Sequence, residues 1–306
     1  MNDPFLLHMF NPTKNVSPFD VNMAYEAKFD GVIPYSNVTV EEIHGLTQDT
    51  IFSRGPTGVK RTGIFIGGRE FGLAMDMLQR ARSAMVPPFE VSVFVDPSGA
   101  ITTAAALVAC VEAAVKKATG GDMQGKKLHV FGGTGPVGIC AGILAEKCGA
   151  EVWLTSHRGQ SVAQEVADEY NQRFAVNMRG IGSGSDGEIR RIIQGTDIIV
   201  GVAKAGVRVV SRGQLEQAEN LIVAADVNAV PPSGIEGVDV HDMGKPLNFT
   251  PRKALGIGAL AIGNIKYKVH YRMFELMKSA EKPVYLDHVQ AFEIAREFAA
   301  KKLLGA

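Results

Sequence analysis

Residues 128–143 read LHVFGGTGPVGICAGI, and the order of their properties decides the fold. Leu128–Phe131 is a short apolar run of strand type, glycines follow at once, and Val137–Ala145 carries the small and apolar spacing of a helix. Gly133, Gly135 and Gly138 fit G-x-G-x-x-G. In that pattern the first glycine makes the tight turn, the second lets backbone approach a pyrophosphate, and the third lets the helix pack close to the strand. With Thr134, Pro136 and Val137 between them, these residues open a helix whose N-terminal N–H groups and dipole favour an anion. A glycine-packed βα turn without a ligand has the same spacing. A second strand, Glu151–Thr155, follows and favours the dinucleotide reading.

Outward from this unit, Asp197–Val202 and Leu221–Asp226 read as further strands separated by helical patterns, which predicts a Rossmann-like parallel sheet. The segments DIIVGVAKAG and LIVAADVNAVPP end strands on the ligand side of that sheet, so Ala203, Asp226 and Asn228 join the expected cofactor-binding residues. The first 120 residues carry their own α/β punctuation. Strand-like runs at Gly31–Tyr35, Gly63–Gly67 and Glu90–Asp96 alternate with helix-like runs at Glu70–Ala84 and Thr102–Ala118, the last with Thr102 or Thr103 as its N-cap. Gly120–Gly121 reads as a domain boundary. The stretch GGDMQGKK at 120–127 has P-loop spacing but lacks the Ser/Thr and precedes a strand, so it reads as a helix stop and linker.

These runs predict two α/β domains: an N-terminal domain over 1–122, a Rossmann domain over 123–250, and C-terminal helices over 251–306 that return to the first domain across a cleft. After Pro251 no strand is expected in the second sheet, and the last helix runs from about Leu286 to Leu304.

Composition narrows the function. Lys plus Arg and Asp plus Glu are 32 each, a balance that favours neither nucleic acid nor an anionic membrane. The uncharged apolar run Ala254–Ile265 is too short to span a bilayer, and the start MNDPFLLHMFNP is acidic and proline-interrupted, so a soluble, cytoplasmic protein is expected. Cys110, Cys140 and Cys148 form neither a C-x-x-C pair nor a disulfide framework. The seven histidines are scattered outside any ligand-spaced motif, so no metal is expected.

Strand two ends TSHR, with Ser156, His157 and Arg158 where NAD enzymes usually place a carboxylate for the ribose 2′-OH. No carboxylate stands there to repel a 2′-phosphate, and Arg158, with Ser156 and His157, can bind one, which favours NADP while tolerating NAD. A G-x-S-x-G, a Cys/His pairing and a Tyr-x-x-x-Lys are all lacking. A dehydrogenase without an evident acid or base suits a substrate whose oxidation needs only hydride removal.

Six stretches carry a family resemblance: SPFDVNMAYE, SRGPTGVKRTGIFIGG, DPSGAITTAAA, GGTGPVG, DVNAVPPSGIEGVD and ALGIGALAIGNIKYKVH. Together they resemble the NAD(P)-dependent methylene-tetrahydromethanopterin dehydrogenases of methylotrophic bacteria, over nearly the whole chain. The resemblance implies oxidation of the methylene bridge between N5 and N10 of a reduced pterin to a methenyl group, with hydride passing to the nicotinamide of NADP or NAD. It implies a pterin in the cleft between domains, lined by segments holding Phe19 and Lys266, and together with the two-domain architecture it implies a homo-oligomer; the even charge balance adds the expectation of no nucleic-acid and no membrane partner. Lys266 is the residue expected to matter most to hydride transfer. Its stretch GIGALAIG holds three glycines that permit close approach to a ligand, and Lys266 and Lys268 point to different sides of a helix. Members strict for NADP carry an arginine where this chain has His157, which implies a weak NADP preference. A methylene-tetrahydrofolate dehydrogenase, or a non-catalytic NADP sensor related to short-chain dehydrogenases, are the alternatives; such sensors usually open the chain with their glycine loop.

Overall fold

The computed structural model describes residues 3–305. In chain order it begins β1 (Leu6–Phe10), α1 (Pro18–Glu26), β2 (Gly31–Tyr35), α2 (Glu42–Phe52), α3 (Pro56–Val59), β3 (Thr62–Ile66), α4 (Phe71–Ser83), β4 (Ser92–Val95) and α5 (Ala100–Thr119). It continues β5 (Lys127–Phe131), α6 (Pro136–Lys147), β6 (Glu151–Ser156), α7 (Gln160–Phe174), β7 (Arg179–Gly182), α8 (Asp186–Gln194), β8 (Ile198–Gly201), α9 (Arg212–Leu215) and β9 (Val223–Asp226). It closes with β10 (Met243–Pro246), β11 (Leu255–Ile257), α10 (Ala259–Ser279), β12 (Tyr285–Leu286) and α11 (His288–Leu303).

Two compact units result. Residues through Thr102 group with Tyr267–Ile294, and Thr103–Lys266 groups with the residues from Ala295 onward. The division therefore falls inside α5, α10 and α11, not at Gly120–Gly121 and not around one C-terminal block.

The first unit holds a five-stranded parallel sheet in the order β12-β4-β3-β1-β2. Numbered by position in the chain this is 2-1-3-4-5, a doubly wound order that reverses between β1 and β3. β3 and β4 are buried at every residue, as strands covered on both faces must be. Tyr285 and Leu286 pair with Val93 and Phe94, so the C-terminal segment contributes the edge strand of this sheet. The second unit holds seven strands in the order β10-β11-β9-β8-β5-β6-β7. Six of them read 3-2-1-4-5-6, the Rossmann order, with its reversal between β5 and β8. Bidentate bonds of 2.7 Å each from the Arg296 guanidinium to Glu112 tie the end of α11 into this unit.

Two expectations are corrected here. β11 extends the second sheet beside β9 where no strand was expected, because the glycines of ALGIGAL allow close packing as well as freedom. A Cβ at Gly256 would meet Leu247 at 3.0 Å, and one at Gly258 would overlap the backbone of Asp239 and Val240. Helix α5 starts at Ala100, before either threonine read as its cap. Its first N–H groups are satisfied by Asp96, whose Oδ1 accepts from Ile101 N at 2.9 Å and Thr102 N at 3.2 Å while Oδ2 accepts from Thr102 Oγ1 at 2.6 Å. The segment Pro97–Thr119 has the length and apolarity of a membrane span, but 83% of its apolar window is buried inside the protein, as in a core helix.

Candidate functional site

At the Rossmann reversal the glycine-rich turn works in parts. Gly132, one residue before the motif's first glycine, has φ +82°, and a Cβ there would lie 2.7 Å from the backbone of Ala203 after β8. It is therefore the turn glycine, and the role expected of Gly133 moves one residue back. Gly133 serves close approach instead: its Cβ would lie 2.8 Å from Leu154 Cα in β6. Gly138 packs on the turn itself, 2.7 Å from Gly133 Cα by the same measure. Gly135 differs from these, because its added Cβ would meet only Gly132 O, at 3.6 Å. Space is thus left open at the one glycine whose expected role is to admit a ligand.

Gly135 is the N-cap of α6 and Pro136 is its first residue; no side chain caps this end. The first intrahelical bond runs from Ile139 N to Gly135 O at 2.9 Å, so the N–H groups of Val137 and Gly138 lie ahead of the helical ladder. The helix approaches the sheet closely, with Gly142 under Met178 and Leu154. A dinucleotide pyrophosphate fits this arrangement: an open glycine, two outward N–H groups and a helix dipole at a topological switch point.

β5 and β6 run parallel with Phe131 beside Thr155, so the end of β6 adjoins the glycine turn. Ser156 is buried there, its Oγ accepting from Arg158 N at 3.1 Å, while His157 and Arg158 are exposed in the turn before α7. The β7–α8 loop closes over the same turn through Ser183 N to Ser156 O at 2.9 Å. Asp226 and Asn228, expected as cofactor ligands, are committed to their own loop. The Asp226 carboxylate accepts from Asn228 N and Ile235 N at 3.0 Å each, and Asn228 Oδ1 accepts from Gly206 N and Val230 N. Burial raises the Asp226 pKa above the usual carboxylate range, offset in part by N–H bonds from Ile235, Asn228 and Gly234. Both side chains thus brace the loop at the rim of the switch point.

The first unit has its own site at its own reversal point. Where β1 and β3 end, a cavity of about 320 Å³ is lined by Phe10, Asn11, Asp20, Phe65, Gly67 and Arg69, among others. Phe19 and Asp20 stand in the first turn of α1, after Pro18. Phe19 is 39% exposed and sets its ring edge against His270 at 5.5 Å. His270, buried among Phe65, Phe94 and Phe274, was not singled out from the sequence. Its Nδ1 lies 3.0 Å from Asp96 Oδ2, the same carboxylate that caps α5. Four residues earlier on α10, and assigned to the second unit, Lys266 is half-buried while Lys268 is exposed, in keeping with two sides of one helix. Of the three glycines before Lys266, only Gly263 is open; Gly256 and Gly258 are used in internal packing.

The remaining expected features are plainly placed. Cys110 and Cys140 are buried and Cys148 half-buried, all as free thiols. Burial pushes Cys110 up to about 12 and Cys148 up to about 11, so neither is a ready nucleophile.

The family model described as methylene-tetrahydromethanopterin dehydrogenase, N-terminal, matches residues 18–98. The chain is 45% identical over 295 residues to the NAD(P)-dependent methylenetetrahydromethanopterin dehydrogenase of Methylorubrum extorquens, covering 96% of this chain and 98% of that protein. It is 33% identical over 294 residues to the bifunctional protein MdtA of the same organism, covering 96% and 99%. Among solved structures, shikimate 5-dehydrogenase from Listeria monocytogenes in complex with shikimate and NAD aligns with a TM-score of 0.52 over 95% of this chain and 96% of that one, at 15% identity. At that identity the likeness concerns the fold alone.

Proposed function

Since the chain belongs to the family of NAD(P)-dependent methylenetetrahydromethanopterin dehydrogenases, we propose that it oxidises methylene-tetrahydromethanopterin to methenyl-tetrahydromethanopterin by direct hydride transfer to NADP or NAD. The observation that carries this reading is the relationship over 96% of the chain. In the reaction one C–H bond of the methylene bridge breaks and the hydrogen leaves with both electrons. The lone pairs of N5 and N10 delocalise into the cation that remains, so no proton moves and no general base is required. When bound, the oxidised nicotinamide supplies the hydride acceptor.

The chain's residues do the holding. Gly133, Thr134, Gly135, Pro136, Val137 and Gly138 would hold the pyrophosphate, which the open Gly135 would admit and the N–H groups of Val137 and Gly138 would bond. Arg158, with Ser156 and His157, lies where a 2′-phosphate is read, and the exposed guanidinium in a turn without a carboxylate supports that role. Ala203 abuts Gly132 across the switch point, and Asp226 and Asn228 keep the neighbouring loop in shape. Phe19, partly exposed beside the first-unit cavity, packs on the pterin ring. Lys266 hydrogen-bonds a polar edge of the pterin and sets its distance from the acceptor. It does not face the forming cation, where a protonated amine would oppose the chemistry.

A cytoplasmic homo-oligomer without nucleic-acid or membrane partners is part of the same proposal, supported by the even charge balance and open to light scattering after size exclusion. The function itself is tested by nicotinamide absorbance with methylene-tetrahydromethanopterin and methylene-tetrahydrofolate side by side. Turnover of the first with NADP or NAD is expected. Turnover of the folate alone, or of neither, would refute it.

A further inference from the structure

We infer that a cavity at the amino ends of the first sheet binds an organic phosphate monoester, with Arg61 and Lys278 holding the phosphate and an apolar wall taking the body. The cavity measures about 680 Å³, within the range of small-molecule sites. Phe5, Thr62 and Ser92 line it, and they stand just before β1 and at the first residues of β3 and β4. It therefore opens at the opposite end of the strands from the β1/β3 reversal. None of its lining residues belongs to the glycine turn, to the Ser156–Arg158 turn or to the cavity at that reversal.

Cations outnumber carboxylates in its wall. Lys60 and Lys282, both exposed, are matched in number by Glu90 and Glu281, which leaves Arg61 and Lys278 uncompensated. These two lie against one ring, the guanidinium carbon 3.8 Å and the ammonium nitrogen 4.9 Å from the centroid of Phe5. An aromatic face attracts cations without neutralising them. Among the described residues neither cation has a carboxylate within 4.0 Å, and Arg61 Nε is sealed from water with no hydrogen-bond partner. Burial lowers the Lys278 pKa; Asp30 and Glu275 oppose the lowering, and Arg61 and Lys28 add to it.

Two neighbouring cations match a dianion. A phosphate monoester carries close to two negative charges at neutral pH and three acceptor oxygens, where a carboxylate carries one charge and two oxygens. Lys278 Nζ donates to Ala27 O and Lys28 O at 2.7 and 2.9 Å, which leaves one of its three N–H groups for a ligand. The Nε–Nη edge of Arg61 forms a planar fork for two oxygens once the guanidinium turns from Phe5 onto the anion. That turn also gives Nε the acceptor it lacks. Elsewhere in the wall the hydroxyls are engaged internally, Thr62 Oγ1 donating to Gly58 O at 2.8 Å and Ser92 Oγ accepting from Val284 N at 3.2 Å. Phe89, Val91 and Met277 supply apolar surface, which suits a ring.

The test is calorimetry on the NAD-saturated protein, because NAD fills the glycine turn and carries no phosphate monoester. Phenyl phosphate, benzoate and inorganic phosphate are the probes. Phenyl phosphate should bind on the order of tenfold more tightly than either of the others, since benzoate forgoes a charge-assisted bond and inorganic phosphate has no ring to bury. Arg61→Met keeps an apolar stem over Phe5 and removes the charge and the fork, so it should weaken phenyl phosphate by roughly tenfold or more. NAD affinity and melting temperature, measured alongside, report whether the variant is folded. Absence of phenyl phosphate binding by the wild type, or benzoate binding equally tightly, overturns the inference even if the variant fails to fold. A folded Arg61→Met that binds phenyl phosphate as the wild type does overturns it as well, because the anion is then held elsewhere.

Discussion

A single methyl group placed at two positions of the glycine turn separates fold from binding. At Gly133 an added Cβ would lie 2.8 Å from Leu154 Cα and 2.8 Å from Val130 O, both backbone atoms that cannot rotate away. Gly133→Ala must therefore push β6 from β5, at a cost of about 1–3 kcal/mol typical of overpacking, and the melting temperature should fall by roughly 2–10 °C. At Gly135 the nearest atom to an added Cβ is 3.6 Å away, and φ −89°, ψ 168° is extended backbone that valine adopts without strain. Gly135→Val loses only the N-cap preference of glycine over a branched residue, about 0.5–1 kcal/mol. Its branched side chain, however, would fill the space assigned to the pyrophosphate. Displacing one charge-assisted bond removes about 1.5–3 kcal/mol, on the order of tenfold to a hundredfold in affinity for NADP. Calorimetric titration with NADP and thermal unfolding of both variants give the readout. Wild-type NADP affinity in Gly135→Val would refute the placement of the pyrophosphate, and a melting point as low as that of Gly133→Ala would refute the openness of the position.

Three further outcomes are expected. Arg158→Ala should weaken NADP by roughly tenfold or more while NAD changes little, because an exposed guanidinium pairing with a 2′-phosphate touches nothing in NAD; equal losses for the two cofactors in calorimetry would show that it does not discriminate. Lys266→Ala should lower turnover on the order of a hundredfold through misplacement of the reacting carbon by about 1 Å, with NADP affinity near wild type; near-normal steady-state turnover would return it to the class of surface charges. His129, buried and stacked on Trp153 at 4.9 Å with Nδ1 at 2.9 Å from Thr196 Oγ1, has its pKa lowered from 6.5 to about 4 by burial, then by Lys127. The unfolded chain takes up the proton first, so its contribution is fully present above pH 6.5 and is lost as pH falls toward 4, by at most about 3 kcal/mol. His129→Gln should flatten the decline in denaturant stability over that window, and an unchanged slope would contradict the assignment.

What the chain disclosed in advance was what is local. The order strand, glycine turn, helix is set by neighbours in sequence, and β5, α6 and β6 fall where the apolar runs and glycines put them. The motif's spacing could not say which glycine carries the positive φ, because that depends on Ala203, far along the chain, pressing against Gly132. One interior strand of the first sheet, β1, went unread: LLHMF has no clean alternation, and only its pairing with β2 and β3 makes it a strand. The β11 strand hid behind its glycines, which read as freedom and serve as close packing. Asp96, Asp20 and His270 come from three distant stretches with no shared spacing, so only the folded sheet brings them to one place. Asp226 and Asn228 lie on the expected side of the Rossmann sheet, and their side chains also brace the loop that follows, which position along a strand does not reveal.

The most direct test of the central claim follows the hydrogen itself. Methylene-tetrahydromethanopterin carrying deuterium at the bridge carbon is incubated with the enzyme and NADP in ordinary water, and the reduced cofactor is examined by mass spectrometry. Direct hydride transfer predicts deuterium on the nicotinamide, on one face of C4, with none washed into solvent. Reduced cofactor that carries solvent hydrogen in place of the label would contradict the account.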